Sequence, residues 1–244
     1  MQRTLLILII IIFTHACACG SRGRQKSASL ASAQAGQVTE ENFNTLDENL
    51  KAFLSSNAKL LTKWPFKEWG YKLVDDALVE CEKPEGESIK GEALKAFLQL
   101  DMVNHYSPAL NISRHDWVES ALRSNVLYTY CGTLDVSDSL NCYIYTAEDY
   151  TQIGYYDAFA LLVKDNKATG SIPLAGEGHG MWDSIESNRV SRNSFVIASF
   201  AIDVIDENGN NPGSYYFIRV NNDGSLTGSE ASESDFNRPT WNDN

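Results

Sequence analysis

Apolar residues along the chain fall into two regimes that meet near Asn125. Before it they recur at spacings near 3.6, the signature of helices with one buried face. Phe43, Leu46, Leu50, Phe53, Leu54, Leu60 and Leu61 form the first such stripe. Thr39 is placed to cap it, Glu40 and Glu41 fall in its first turn, and Trp64-Pro65 ends it, because the residue before proline avoids the helical region. The pattern predicts a second helix over 66–82, stopped by Pro84 and Gly86. A third is expected over 91–104 with Leu94, Phe97 and Leu98 on its apolar side, and a fourth over 113–124 with Ser113 as N-cap and Trp117, Ala121 and Leu122 apolar.

After Asn125 the period drops to two. "VLYTYC", "CYIYTA", "DAFALLV", "SFVIASFAIDVI" and "YYFIRV" are rich in β-branched and aromatic residues, the composition of strands. "DENGN" (206–210) and "NNDGS" (221–225) are turn sequences, and no repeat of 20–50 residues interrupts the pattern. Helices first and strands after, without alternation, predict an α+β fold with N-terminal helices packed on a C-terminal antiparallel β-sheet. Within 39–244, helices are expected over about 39–124, strands over about 125–228 and a polar tail over 229–244, which Phe236 and Trp241 can dock. The stretch from about 165 to 193 reads as the longest unpatterned connection, and long connections of this kind are uncommon unless functional or disordered.

The leader changes the picture of where this domain sits. Arg3 gives a positive start, Leu5–Phe13 is an unbroken apolar core, and small residues follow at Ala16 and Ala18, the plan of an export signal over 1–18. Nine apolar residues fall well short of the roughly 20 a spanning helix needs. "ACACGS" resembles the lipobox of bacterial lipoproteins, with Ala16 where the family usually has leucine. In that family the cysteine after the small residues is diacylated, usually with palmitate, and becomes the mature N-terminus. The resemblance makes Cys19 the lipid anchor and implies a partner in the lipid bilayer and a place in the bacterial cell envelope, at the outer membrane, facing periplasm or surface. Anchorage through Cys17, simple secretion after Ala18, and a C-x-C metal or redox pair with His15 as the one nearby ligand stay open beside it. Residues 20–38 are rich in Ser, Ala, Gly and Gln, a flexible tether whose 19 residues span about 24 Å root-mean-square.

Composition adds a charge argument. The formal charge is −12, and all 32 acidic residues lie from Thr39 onward. With Arg3, Arg22, Arg24 and Lys26 set aside, 16 basic residues face them, a net of −16 for the domain. Such a body opposes nucleic acid, favours solubility and suits a basic protein partner.

Five cysteines are present. Cys131 and Cys142 close and open two consecutive predicted strands, so in an oxidising compartment a disulfide across the hairpin throat is expected. Cys81 makes the number in the folded body odd, and it can pair with either or stay a buried thiol.

Most catalytic patterns are missing or broken. Ser56-Asn57-Ala58-Lys59 satisfies S-x-x-K and Lys167-Ala168-Thr169-Gly170 loosely echoes K-T-G, but no S-D-N lies between and the serine falls in a predicted helix. His105, His115 and His179 lack ligand spacing, and no metal is expected. The 206–217 segment starts like a calcium loop but has Phe217 where the bidentate glutamate belongs. One stretch remains, "IPLAGEGHGMWDS" (172–184). Alternating glycines let backbone approach a ligand, Trp182 offers a stacking face and His179 titrates near neutrality, with Glu177 and Asp183 flanking them; a glycine-rich turn with Trp182 plugging a sheet edge accounts for the same residues. "PLAGEGHGMW", then "NNPGSY" and "SLTGSEASES", resemble in order the three signature segments of periplasmic FMN-binding domains, such as the C subunit of the sodium-pumping NADH:quinone reductase and its Rnf relatives. That resemblance implies an FMN-binding or redox domain. The sequence therefore leads to an envelope lipoprotein with a non-enzymatic binding or interaction domain and no cofactor. An FMN-binding domain and an immunity-type antagonist of a basic protein are the alternatives.

Overall fold

A computed structural model describes residues 44–67, 71–74, 77–80, 83–100, 114–149, 156–177, 183–201 and 213–241, all within one compact unit, Asn42–Asn244. The leader, the tether and Thr39 lie outside the described residues.

The centre is a nine-stranded antiparallel sheet whose strands neighbour one another in chain order. These are β3 (Glu87–Ser88), β4 (Val126–Leu134), β5 (Asn141–Asp149), β6 (Tyr156–Lys164), β7 (Lys167–Glu177), β8 (Asp183–Ser191), β9 (Ser194–Ala201), β10 (Ser214–Val220) and β11 (Leu226–Glu230). The antiparallel sheet with a few helices agrees with the expected class, with more strand than expected. Between β6 and β7, Asp165 and Asn166 both take positive φ (49° and 62°), the two-residue turn whose twist suits a hairpin. The expected long connection over 165–193 is therefore mostly strand, and only 178–182 is left between β7 and β8.

Among the described residues, three helices of eight or nine residues and one short turn of helix accompany the sheet: α1 (Glu48–Ser56), α2 (Gly91–Gln99), α3 (Arg114–Ala121) and α4 (Glu233–Phe236). None of the described helices is long and apolar enough to cross a membrane. The α1 N-cap is Asp47, whose carboxylate accepts from the Asn49 N–H at 2.7 Å, and the helix stops at Ser56, short of Leu60 and Leu61. Those two instead run beside β4, Leu60 bridging to Thr133 in parallel. The helix expected over 66–82 is corrected outright. Pro65–Lys67 is a single 3-10 turn, and β1 (Tyr71–Val74) pairs with β2 (Ala77–Glu80) as a hairpin with Val74 opposite Ala77.

Alternation along the strands sends side chains to two faces. On one, Leu50 and Leu54 of α1 and Ala96 and Phe97 of α2 pack with Tyr130, Tyr145, Leu161 and Val163. On the other, Phe66 is buried with Cys142, Ile144, Leu162, Leu174 and Phe195, and Trp64 packs against them. The sheet coils around this second core. Four strand spacings separate β4 from β8, about 19 Å in a flat sheet, yet Arg192 in the β8–β9 turn pairs at 2.6 Å with Asp135 beyond β4. Ser137 in the same connection donates to Asn222 beyond β10.

Candidate functional site

Among the described residues five polar or charged side chains are buried: Asp157, Ser187, Asn188, Arg189 and Ser194. Four of the five belong to the β8–β9 hairpin, so β8 is where the sheet departs from an ordinary core. The cause begins in β7. Pro173 supplies no N–H, and the ladder to β6 slips between Ala158 and Phe159, leaving Leu174 extra; a proline beside a bulge is a strand at the end of its pairing. Among the described residues β7 and β8 share one register pair, Gly176 opposite Ile185. From Ala175 back toward Lys167 no described β7 residue is registered against β8, and this seam lies between β3–β7 and β8–β11.

The carbonyls that β8 turns toward this seam are met by other groups. Trp64 Nε1 donates to the Ser187 carbonyl at 2.7 Å, and the Trp241 N–H donates to the Arg189 carbonyl at 2.6 Å. Arg189 runs back through the interior, its Nη2 donating to the carbonyls of Asp135 at 2.5 Å and Arg192 at 2.8 Å. Asn188 points to the opposite face. Its Nδ2 donates to the carbonyls of Phe236 (2.6 Å) and Arg238 (2.8 Å), and its Oδ1 accepts from Thr240 Oγ1 at 2.8 Å. The tail expected to dock through Phe236 does so: that ring is buried with Val196 and Ala198, 5.9 Å from Tyr215. Trp241 keeps its side chain largely exposed.

At the join of the seam, Asp157, Gly176 and Ile185 lie in one row across β6, β7 and β8. A Cβ on Gly176 would stand 2.8 Å from Asp157 Oδ1, so a side chain here would have to push the buried carboxylate aside. Burial, then the charge of Asp157, pushes Tyr128 up to about 12. One row further out, Lys83 Nζ sits 3.4 Å over the Tyr156 ring and 3.3 Å from Glu148 Oε1, and Tyr156 pairs with Glu177. Glu177 ends β7 and Asp183 begins β8, so the structure brings the two flanks of the expected ligand loop onto neighbouring strands. His179 and Trp182 lie outside the described residues, as do Cys19 and Cys81.

Cys131 and Cys142 are both free and buried, which corrects the expected disulfide. β4 runs on to Leu134, and Leu134, not Cys131, stands opposite Cys142. Three residues of strand separate the positions, about 7–10 Å, beyond the reach of about 4.4–6.8 Å between Cα atoms that a disulfide spans. Cys131 falls at the bulge between Tyr130 and Gly132, its Sγ 4.0 Å from Thr146 Oγ1. Burial pushes Cys131 up to about 11 and Cys142 up to about 12, so neither supplies thiolate at neutral pH.

The buried polar groups of β8 thus grip main chain: carbonyls at 135, 192, 236 and 238. Sequence reasoning missed Ser187, Asn188 and Arg189, whose signal was the polar run "ESNRVS" inside a strand-rich region. Neither a family model, nor a curated protein, nor a solved structure matches the chain.

Proposed function

We propose that this chain is a cell-envelope lipoprotein, held in a bilayer by diacylated Cys19 and carrying a domain that works by binding a partner rather than by catalysis. The helices before residue 124 form one layer of that domain and the sheet the other. The leader and the tether support the anchor. The observation that carries the binding reading is the set of main-chain contacts around Asn188, where a strand's side-chain amide and the neighbouring Arg189 carbonyl take hold of peptide groups from outside the sheet. The sealed, protonated thiols fit it, because neither is placed to act as a nucleophile. The acidic body, net −16, suits a basic protein partner.

Metabolic labelling with radioactive palmitate tests the anchor: label enters the wild-type chain and is lost in Cys19→Ala. Label that persists in that variant overturns Cys19 as the anchor. The purified domain tests the rest. Flavin absorbance replaces the binding reading with an FMN-binding domain, and a tight complex with a basic protein that weakens steeply with salt makes the chain an immunity-type antagonist.

A further inference from the structure

The two edges of the large sheet differ in kind. At one, β3 is two residues long, too short to template a neighbour. At the other, β11 keeps five consecutive register pairs with β10 without a bulge, and all five of its residues are exposed. It carries no proline and no lysine, residues that commonly blunt such an edge. Asn221 N–H donates to the Ser225 carbonyl at 2.9 Å and Ala231 N–H to the Tyr215 carbonyl at 3.0 Å, so residues 225, 227, 229 and 231 spend their main-chain groups on β10. Val220, the next residue along β10, donates instead toward β9, to the Asn193 carbonyl at 2.9 Å, which fixes the same alternation from the other side. The N–H and C=O groups of Leu226, Gly228 and Glu230 therefore point away from the sheet, and among the described residues no strand pairs with them.

The side chains between these groups decide what fits. Leu226, Gly228 and Glu230 share one face of the strand. Gly228 is bare, since a Cβ built there meets only the Phe217 carbonyl, at 3.7 Å, and a glycine on an edge strand is covered well by an aromatic ring from the strand beside it. Glu230 is the one charged residue of β11, and the cation on the neighbouring strand, Arg219, stands opposite Thr227 on the other face. A second copy of the chain fits poorly. The two-fold pairing that engages every open group sets Gly228 opposite its own copy and Glu230 opposite Leu226, leaving both glycines bare, and it brings together two bodies of net −16.

We propose that β11 is the docking edge for the basic partner, which adds an extended segment to it as a further antiparallel strand. That segment carries a basic residue opposite Glu230, an aromatic one opposite Gly228 and an aliphatic one opposite Leu226, in the order basic-x-aromatic-x-aliphatic. Strand addition of this kind takes its affinity from the main-chain ladder and its selectivity from alternate side chains. The inference rests on the binding-domain reading and its basic partner but not on the lipid anchor, and loss of label in Cys19→Ala is independent of it.

The test is fluorescence anisotropy of a labelled peptide, Thr-Arg-Thr-Phe-Thr-Val-Thr, against the full chain. Wild-type chain is expected to bind it, less tightly as salt rises. Gly228→Pro removes an outward N–H and no bond to β10, the edge position at which a sheet tolerates proline, and is expected to weaken binding by about tenfold. Glu230→Lys is expected to weaken this peptide and to tighten the one with glutamate in place of arginine. A peptide with alanine in place of phenylalanine is expected to bind wild-type chain more weakly. Equal affinity of wild-type and Gly228→Pro chains overturns the proposal, as does a wild-type chain that binds no peptide. Where Gly228→Pro fails to fold, the charge exchange at Glu230 decides alone, and its absence overturns the proposal. Dimerisation in sedimentation that Gly228→Pro abolishes gives the edge to a second copy and overturns it too. A salt-sensitive complex with a basic protein that survives Gly228→Pro keeps the binding reading and removes this edge from it.

Discussion

Trp64 Nε1 donates to the main-chain carbonyl of Ser187 across 123 positions of sequence. The same indole packs 5.0 Å from Phe66 and 5.5 Å from Phe195. One side chain therefore closes part of the seam that β7 leaves open and fills the core beneath it.

Two substitutions separate those roles. Trp64→Phe keeps ring packing but strands the Ser187 carbonyl, an expected loss of about 1–3 kcal/mol. Trp64→Ala removes both and is expected to cost about 3–5 kcal/mol. Denaturant unfolding checks the pair; equal losses would show that the ring packing adds nothing beyond the hydrogen bond, and no loss in Trp64→Phe would show that the hydrogen bond contributes nothing.

Arg189 and Arg192 are predicted to differ sharply. Arg189 is buried and ties β8 to the carbonyls of Asp135 and Arg192, so Arg189→Ala is expected to lower stability by about 2–4 kcal/mol, emptying the space its buried stem fills and leaving two part-buried acceptors without their donor. Arg192 lies at the surface in pairs with Asp135 and Asp138; Arg192→Ala is expected to change stability little, and less as salt rises. Thermal melts of both variants at low and high salt measure this.

Alkaline pH should unfold the protein through its buried acids. Cys131 and Cys142 are raised from 9.0 to about 11 and about 12, and Tyr128 and Tyr130 from 10.0 to about 12, in each case chiefly by burial. Above about pH 9 the unfolded chain releases protons that the folded chain retains, so stability is full below pH 9 and falls as pH rises toward 12. The slope is about 1.4 kcal/mol per pH unit for each such proton. Urea midpoints across pH 8–11 give the sign; a flat profile would contradict it. A thiol reagent at pH 8 is expected to leave both cysteines unmodified until the chain is unfolded.

Gly132 and Gly176 are each predicted to resist alanine. Gly132 has φ +139°, and a Cβ there would lie 2.9 Å from the Lys59 carbonyl, where segment 59–61 runs alongside β4. At Gly176 the obstacle is the Asp157 carboxylate. Each substitution is expected to cost roughly 1–3 kcal/mol, read as a lowered melting temperature.

Much of the sheet was legible because its strands alternate. β4, β5, β6, β9 and β10 each carry the aromatic and β-branched runs that a half-buried surface selects. β7 and β8 were not legible. β7 contains Pro173 and glycines at 170 and 176, and β8, "DSIESNRVS", turns Ser187 and Arg189 inward where alternation would put apolar residues. The polarity that hid β8 as a strand is what equips it to hold other main chain. The β1–β2 hairpin was missed because Leu73, Val74, Leu78 and Val79 fall at spacings a helix also permits, with no Gly, Pro or Asn between the two pairs to signal a break. The disulfide failed on a boundary, since β4 continues past Cys131 to Leu134.

Because every strand of the large sheet pairs with its sequence neighbours, the ladder from β4 onward is a run of hairpins, with no connection longer than the 12 residues between β9 and β10. Its ring of long-range closures, Trp64 to Ser187, Arg192 to Asp135 and Asn188 to residues 236–240, requires distant parts of the chain to meet and carries the larger entropic barrier. The order of assembly follows: hairpins first, the curl of the sheet and the sealing of its seam last. Substitutions at the seam should accelerate unfolding far more than they slow folding, which makes this one line through the molecule the governor of its lifetime.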